Sequence, residues 1–216
     1  MMAVGYEKLH QYEKAIPLRE KELEIYDKWD SRPRWSSSYT SLGKLYHLTG
    51  QYRKERKLYR QAVLALTEED TDEANRYIEK YISVRKVNIA SEATIASDLA
   101  GIYSEANLYD KAEAYYREAL SLEPGTPSRM DNLAYFLIDN GRNISEGLEL
   151  IDKALELSPD NYLYLDTKGW GLYKQGNFEE ALELLGKSWE LKPVYNHSIY
   201  LHLEEVRKAV AGQKNN

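Results

Sequence analysis

The side chains of this chain that could catalyse a reaction or bind a metal are its histidines and its many carboxylates. There are four histidines and no cysteine, so thiol chemistry and disulfides are excluded. The one pairing with a carboxylate that we consider for a histidine is the loose pairing of His202 with Glu205, three residues later. The sequence also lacks a glycine-rich phosphate loop. We expect no catalytic residue, no metal site and no cofactor, and we expect three of the four histidines on exposed surface: His10, His47, His197 and His202.

A run of cations is the sharpest charged feature, and two interpretations of it stay open. Its residues at 53, 56, 57 and 60 share one helical face, which suits a patch for a partner. The alternative, which we favour, is a solvated outer face screened by the acidic residues that follow it. The cations are Arg53, Lys54, Arg56, Lys57 and Arg60, and the acidic residues are Glu68, Glu69, Asp70, Asp72 and Glu73.

Charge and composition exclude further classes of function. Residues 1–92 hold 17 Lys and Arg against 15 Asp and Glu, whereas residues 93–216 hold 12 against 20. An acidic half argues against nucleic-acid binding, which needs clustered cations. No apolar run approaches the roughly 18 residues of a membrane span. The opening residues lack the apolar stretch of a secretory signal, which leaves the compartment undetermined and favours the cytoplasm.

The elements that must position any functional side chain are most evident from Asp98 to Pro124. Small and aromatic residues recur there at helical spacing, which predicts two helices that cross closely. A corner at Leu108–Asp110 separates the helices, and Pro124 ends the second one. The residues at the predicted crossing are Leu99, Ala100, Tyr103, Ala112, Tyr116 and Ala119.

The same spacing recurs along the chain, in phase from residue 93 to residue 193. It also appears from Ser36, through Tyr39, Gly43 and Tyr59. Two places break the pattern. The first helix of the N-terminal unit is cut short, and the interval between residues 36 and 93 holds three helices where pairs require an even number. One of the three is predicted to begin at Thr71 or Asp72, and we expect a break in the stack near 66–92.

This spacing resembles the tetratricopeptide repeat, a helix-turn-helix unit of about 34 residues, in its bacterial form. The resemblance implies an all-α, right-handed superhelical solenoid of antiparallel helix pairs with about five repeats and a C-terminal capping helix. It implies one domain over residues 1–216. The divisions are 1–30, a partial repeat; 36–69, a repeat; 70–92, an extra or half-repeat helix; 93–126, 127–161 and 162–194, three repeats; and 195–212, the capping helix.

By the same resemblance, the first helix of each pair lines a concave groove that binds peptides. The subclass that grips acidic tails uses Lys, Arg and Asn in this groove, whereas this chain has aspartates in the later repeats, which would repel an acidic tail. A Tyr and a Trp lie one turn after two of these aspartates, and we expect the rings to be partly exposed, although both could instead pack between repeats. The predicted binding residues are Lys44, Ser97, Asp131, Tyr135, Asp139, Asp166, Trp170 and Tyr173.

These residues favour a non-enzymatic scaffold that binds a protein or peptide with basic and apolar side chains. One alternative is a regulatory or sensor segment of a larger enzyme or signalling protein. Another is self-assembly into a homo-oligomer through the N-terminal helix.

Overall fold

Helices make up all the regular structure of the described chain. The computed structural model describes residues 2–29, 35–66, 71–87 and 89–213, and in these ranges it contains twelve α-helices and no β-strand. The helices gather into two compact units, Met1–Tyr109 and Asp110–Asn216. The predicted all-α fold of consecutive helix pairs is confirmed. The division into repeats and the single domain stay predictions.

The first unit contains six helices. They are α1 (Met2–Lys8), α2 (Tyr12–Trp29), α3 (Trp35–Leu48), α4 (Tyr52–Leu66), α5 (Thr71–Val87) and α6 (Glu92–Glu105). With seven residues, α1 is half as long as the 14-residue α3, so the N-terminal pair begins with a shortened helix as predicted. One core of this unit joins α2, α3 and α4 through Ala15, Ile16, Leu42, Leu45, Tyr46 and Leu58.

The extra helix predicted between residues 66 and 92 is α5, which begins at Thr71. It packs against α4, and α4 also packs against α3. One helix, α4, therefore packs against two neighbours in this part of the chain. The acidic run proposed to screen the cationic face lies outside the described residues, which leave out residues 68–70 and the side chains of 72 and 73. Two of the cations are paired within the unit, Lys54 with Glu20 at 3.2 Å and Arg60 with Glu105.

The second unit contains the remaining six helices, the first of which starts at the boundary. They are α7 (Tyr109–Leu122), α8 (Pro127–Asp139), α9 (Ile144–Leu157), α10 (Tyr162–Lys174), α11 (Phe178–Leu191) and α12 (His197–Gln213). Each of α8/α9 and α10/α11 forms a closely packed pair, and α12 packs against α11 and α10. Apolar side chains of α12 share a core with α10 and α11: Leu172, Ala181, Leu185, Leu203, Val206 and Val210.

Close helix crossing in the α10/α11 pair requires a glycine. A Cβ atom at Gly169 would lie 2.7 Å from Cγ of Leu185, which is too near for two carbon atoms. The predicted role of the small residues at helix crossings is confirmed at this position.

Several helices end in the same turn, in which a left-handed residue follows the last turn of the helix. In the α10–α11 turn this residue is Gly176 at φ 87°, and the N–H of Asn177 donates to the carbonyl of Leu172 at 2.9 Å. This hydrogen bond is the closing bond of a Schellman motif. The α5–α6 turn repeats it with Ile89 at φ 56°, so a β-branched residue stands where glycine is favoured. Within the described ranges, no helix is both long and apolar enough to cross a membrane.

Candidate functional site

The predicted binding residues divide between the two units. Lys44 lies on α3 and Ser97 on α6, both in the first unit, where Lys44 is exposed and Ser97 is partly buried. The other six lie on α8 and α10 of the second unit. Four of these, Asp131, Tyr135, Asp166 and Trp170, occupy corresponding places on two helices that pack against each other. The second unit therefore brings together most of the predicted site.

A cavity of about 290 Å³ lies on this face of the second unit. Helices α8 and α10 supply most of its lining, and Tyr116 of α7 and the start of α12 supply the rest. Asn161 and Asn196 fix where the last two of these helices begin, because the Asn161 side chain accepts from the N–H of Leu163 at 3.0 Å and the Asn196 side chain from that of Ser198 at 3.0 Å. The lining residues are Tyr116, Asp131, Asn132, Tyr135, Leu163, Asp166, Thr167, Asn196, Ser198 and Ile199.

Asp131 is the carboxylate of this cavity with the fewest partners. The Thr167 hydroxyl donates to its Oδ1 at 2.7 Å, and in the described chain no other group donates to the carboxylate. Burial raises the pKa of Asp131 to about 6, the Thr167 hydrogen bond opposes that rise, and the charge of Asp166 adds to it. Asp131 is thus largely ionised at pH 7, with one oxygen unoccupied.

Asp166 differs, because both of its oxygens are occupied from α12. Nδ1 of His202 lies 3.0 Å from Oδ1 and 3.1 Å from Oδ2. The two side chains are buried, with 5% of Asp166 and 7% of His202 exposed. This carboxylate therefore holds α12 against α10, and each of its oxygens already lies within hydrogen-bond distance of a donor.

The indole of Trp170 is buried, with 8% of the residue exposed. Its Nε1–H donates to Oδ1 of Asp139 at 3.0 Å. Its ring stacks on that of His202, with 4.2 Å between centroids, and on that of Tyr173, with 4.9 Å. The expectation of a partly exposed Trp170 is therefore wrong, because α12 supplies an imidazole that covers the ring. Of the two alternatives, the packing one describes Trp170.

Tyr135 keeps the exposure that was expected of it. The residue is 36% exposed, and its ring lies 6.2 Å from that of His202. Burial of part of the side chain and the neighbouring charges of Asp139, Asp166 and Asp131 raise the pKa of Tyr135 to about 12. Leu163, also at the cavity, is 41% exposed. The open part of this face therefore combines Asp131 with a phenol and an apolar side chain.

His202 is the functional residue that the sequence did not reveal. The other three histidines are exposed, as expected, whereas His202 is buried beside Asp166. The two lie 36 residues apart, which is about one repeat, so a search within one helix could not pair them. A comparison of side chains one repeat apart could have found this pair, and likewise Asp131 with Thr167. In the described part of the chain, no group of His, Asp and Glu side chains is arranged to hold a metal ion.

Comparisons with known proteins bear on this arrangement. The tetratricopeptide repeat family profile matches residues 1–68, and a second profile of the same name matches residues 94–126. A TPR repeat-containing protein of Pseudomonas aeruginosa is 32% identical over 114 residues, which are 50% of this chain and 19% of that protein. A TPR repeat-containing protein of Methanocaldococcus jannaschii is 35% identical over 91 residues, which are 42% of this chain and 16% of that protein. This chain thus spans less than a fifth of the length of these curated relatives.

Solved structures show the same fold. The TPR domain of Sgt2 from Aspergillus fumigatus has a TM-score of 0.53 at 18% identity, covering 59% of this chain and 84% of that one. A tetratricopeptide repeat protein from Parabacteroides merdae has a TM-score of 0.51 at 15% identity. The match covers 97% of this chain and 71% of that one. The repeated spacing, the paired helices and these matches agree. The chain belongs to the tetratricopeptide repeat family.

Proposed function

We propose that this chain is a non-enzymatic protein-interaction module, and that the cavity face of its second unit binds a partner segment with a basic and an apolar side chain. The observation that carries the proposal is Asp131, an ionised carboxylate with a single hydroxyl partner inside a cavity. Burial raises the pKa of Asp131, and no cation of the described chain offsets that effect, so its ionisation lowers the stability of the fold. Such a group is a candidate functional residue.

Electrostatics select the sign of the partner's charge. Asp131 and Asp166 both line the cavity, and His202 faces only the second of them. An acidic segment would bring a further negative charge into a partly desolvated space, whereas a cation would relieve the charge on Asp131. A carboxylate-binding role is therefore disfavoured, and a basic side chain fits.

The apolar component of the partner is inferred from the exposed rim. Tyr135 and Leu163 line the cavity and remain more than a third exposed. Tyrosine offers a large rigid contact surface with little loss of conformational entropy, and such residues are enriched among binding hot spots. A partner segment with an apolar side chain next to its basic one would cover both.

A second candidate is that the module serves as the regulatory segment of a larger enzyme or signalling protein. The much greater length of the matched relatives favours it. It would use the same surface, so the test below addresses both candidates.

Selection from a displayed library of random dodecapeptides tests the proposal. We expect the full chain to enrich peptides with Lys or Arg beside an apolar residue, and we expect Tyr135→Ala and Asp131→Asn to lose that enrichment. Tyr135 is preferred to Trp170 as the variant because loss of the buried indole would damage packing. Enrichment of acidic peptides, or the same basic peptides on Asp131→Asn, would contradict the proposal.

A further inference from the structure

The oxygens left unoccupied in the cavity distinguish between the two basic side chains. Both oxygens of Asp166 face Nδ1 of His202, and Oδ1 of Asp131 accepts from Thr167. In the described chain, the second oxygen of Asp131 is the one carboxylate oxygen of this cavity without a hydrogen-bond partner. Guanidinium groups bind carboxylates best through two parallel hydrogen bonds, one to each oxygen, so at Asp131 a guanidinium would have to share Oδ1 with the Thr167 hydroxyl. An ammonium group is a compact charge that requires only one.

The other acceptors in the lining suit the same ammonium group. The side chain of Asn132 and the hydroxyl of Ser198 are in the lining, and neither has a side-chain hydrogen bond to another described residue. An ammonium has three donors in a tetrahedral arrangement, which can reach acceptors on different walls. Asp131, Asn132 and Ser198 come from α8 and α12 and so offer such a set.

The size and apolar lining of the cavity fit a single aliphatic side chain. A space of about 290 Å³ is at the lower limit of small-molecule sites, which suits one residue of a partner rather than a whole peptide. Leu163 and Ile199 line it together with the Tyr135 ring. Lysine buries its methylene stem along apolar surface while its charged end is hydrogen-bonded.

Helix α12 is part of this site and not only a terminal cover. Asn196, Ser198 and Ile199 belong to it or to its N-cap, and they form one wall of the cavity. The helix stays in place because Ile199, Leu203 and Val206 are fully buried, so a partner would have to displace several apolar side chains to move it.

We propose that the cavity between α8, α10 and α12 is a one-residue pocket for a lysine side chain, with its ammonium on the unoccupied oxygen of Asp131 and with α12 as one wall. This inference rests on the proposed function and narrows its partner from a basic residue to lysine. His202 has a positioning role, because it occupies Asp166 and so leaves Asp131 as the carboxylate available to the partner.

Titration of the ¹⁵N-labelled full chain with single-residue probes, followed by NMR at neutral pH, tests the pocket. The probes are the N-acetyl, N-methylamide derivatives of lysine, arginine and norleucine. We expect the lysine probe to shift the amide signals of Tyr135, Leu163 and Ser198, with an affinity at least roughly threefold above that of the arginine probe. The norleucine probe, which has the stem without the charge, should bind more weakly than both.

Two variants of α12 test its role as a wall. Ser198→Arg should abolish the shifts, since it places a bulky cation at the cavity. Ala211→Arg adds the same charge to the same helix, roughly 20 Å further along it, and should leave them unchanged. Arginine binding as well as lysine, or no response to lysine, would overturn the lysine assignment. Unchanged binding to Ser198→Arg would overturn the role of α12. The dodecapeptide selection could still enrich basic peptides after either of these results. The proposed function is refuted separately, if that selection enriches no basic peptides.

Discussion

At the scale of single residues, ionised Asp131 lowers the stability of the fold that contains it. Its pKa is about 6 in the folded protein and 3.8 without the surrounding structure. Because the folded state binds the proton more tightly, the free energy of unfolding falls as the pH rises from about 4 to about 6. The groups that face Asp131 are Thr167 and Asp166 on α10, with the Tyr164 and Tyr135 phenols nearby.

Asp131→Asn should therefore stabilise the protein at pH 7. The amide oxygen can still accept from Thr167, and the charge is gone, so we expect a gain of up to about 3 kcal/mol in the free energy of unfolding. Urea denaturation from pH 4 to pH 7 measures it. The wild type should lose stability over this range relative to the variant, and parallel pH profiles for the two proteins would contradict the account.

We expect the opposite effect on stability at the Asp166–His202 pair, because removal of the His202 imidazole leaves the buried Asp166 without its partner. His202→Ala should destabilise the protein by about 3 kcal/mol or more, since Asp166 then has no partner. Addition of Asp166→Asn should recover part of that loss. The matched control is His197→Ala, at an exposed histidine of the same helix, which should change stability by less than about 1 kcal/mol. Guanidinium denaturation measures the wild type and these three variants, and a double variant no more stable than His202→Ala would refute the pairing.

Sequence reasoning at this scale was limited by distance along the chain. Asp131, Tyr135 and Asp166 were predicted through their place in the repeat, and the structure brings them to one cavity. The stacking of His202 on Trp170 was not foreseen, because it joins side chains roughly one repeat apart. Helical spacing reports contacts within three or four residues, whereas these side chains meet across neighbouring helices.

At the scale of elements, the helices were the most predictable part of the molecule. Small residues at helix crossings and a left-handed turn after each first helix follow directly from the repeat spacing, as Gly169 and Gly176 show. The extra helix α5 was also found, with its start at Thr71. The spacing could not predict which side chain of α12 faces α10, because α12 lies outside the repeat pattern and its rotation about its own axis decides this.

The α5–α6 turn carries a prediction at this scale. Ile89 adopts φ 56° and is 94% exposed, so it has the conformational cost of the left-handed region without burial to offset it. Ile89→Gly should raise the free energy of unfolding by about 1 kcal/mol. Gly176→Ala, at φ 87° in the α10–α11 turn, should lower it by a similar amount. Thermal unfolding reads out both changes, and a lower Tm for Ile89→Gly would show that this turn is not strained.

At the scale of the whole molecule, charge is distributed unevenly between the two compact units. Residues 1–109 hold 17 Lys and Arg and 17 Asp and Glu, whereas residues 110–216 hold 12 and 18. The acidic unit is the one that contains the proposed binding cavity, so we expect its field to attract basic segments before contact. Self-association through the N-terminal helix, by contrast, stays a prediction.

Calorimetric titration with the most enriched basic dodecapeptide tests the central claim most directly. It compares the wild type with Asp131→Asn and with Asp160→Asn, the same change at an exposed aspartate that pairs with Lys187 outside the cavity. Loss of a charge-assisted hydrogen bond should weaken binding to Asp131→Asn by roughly ten- to a hundredfold. Asp160→Asn should bind like the wild type. Equal affinity for all three proteins would contradict a cation site at Asp131.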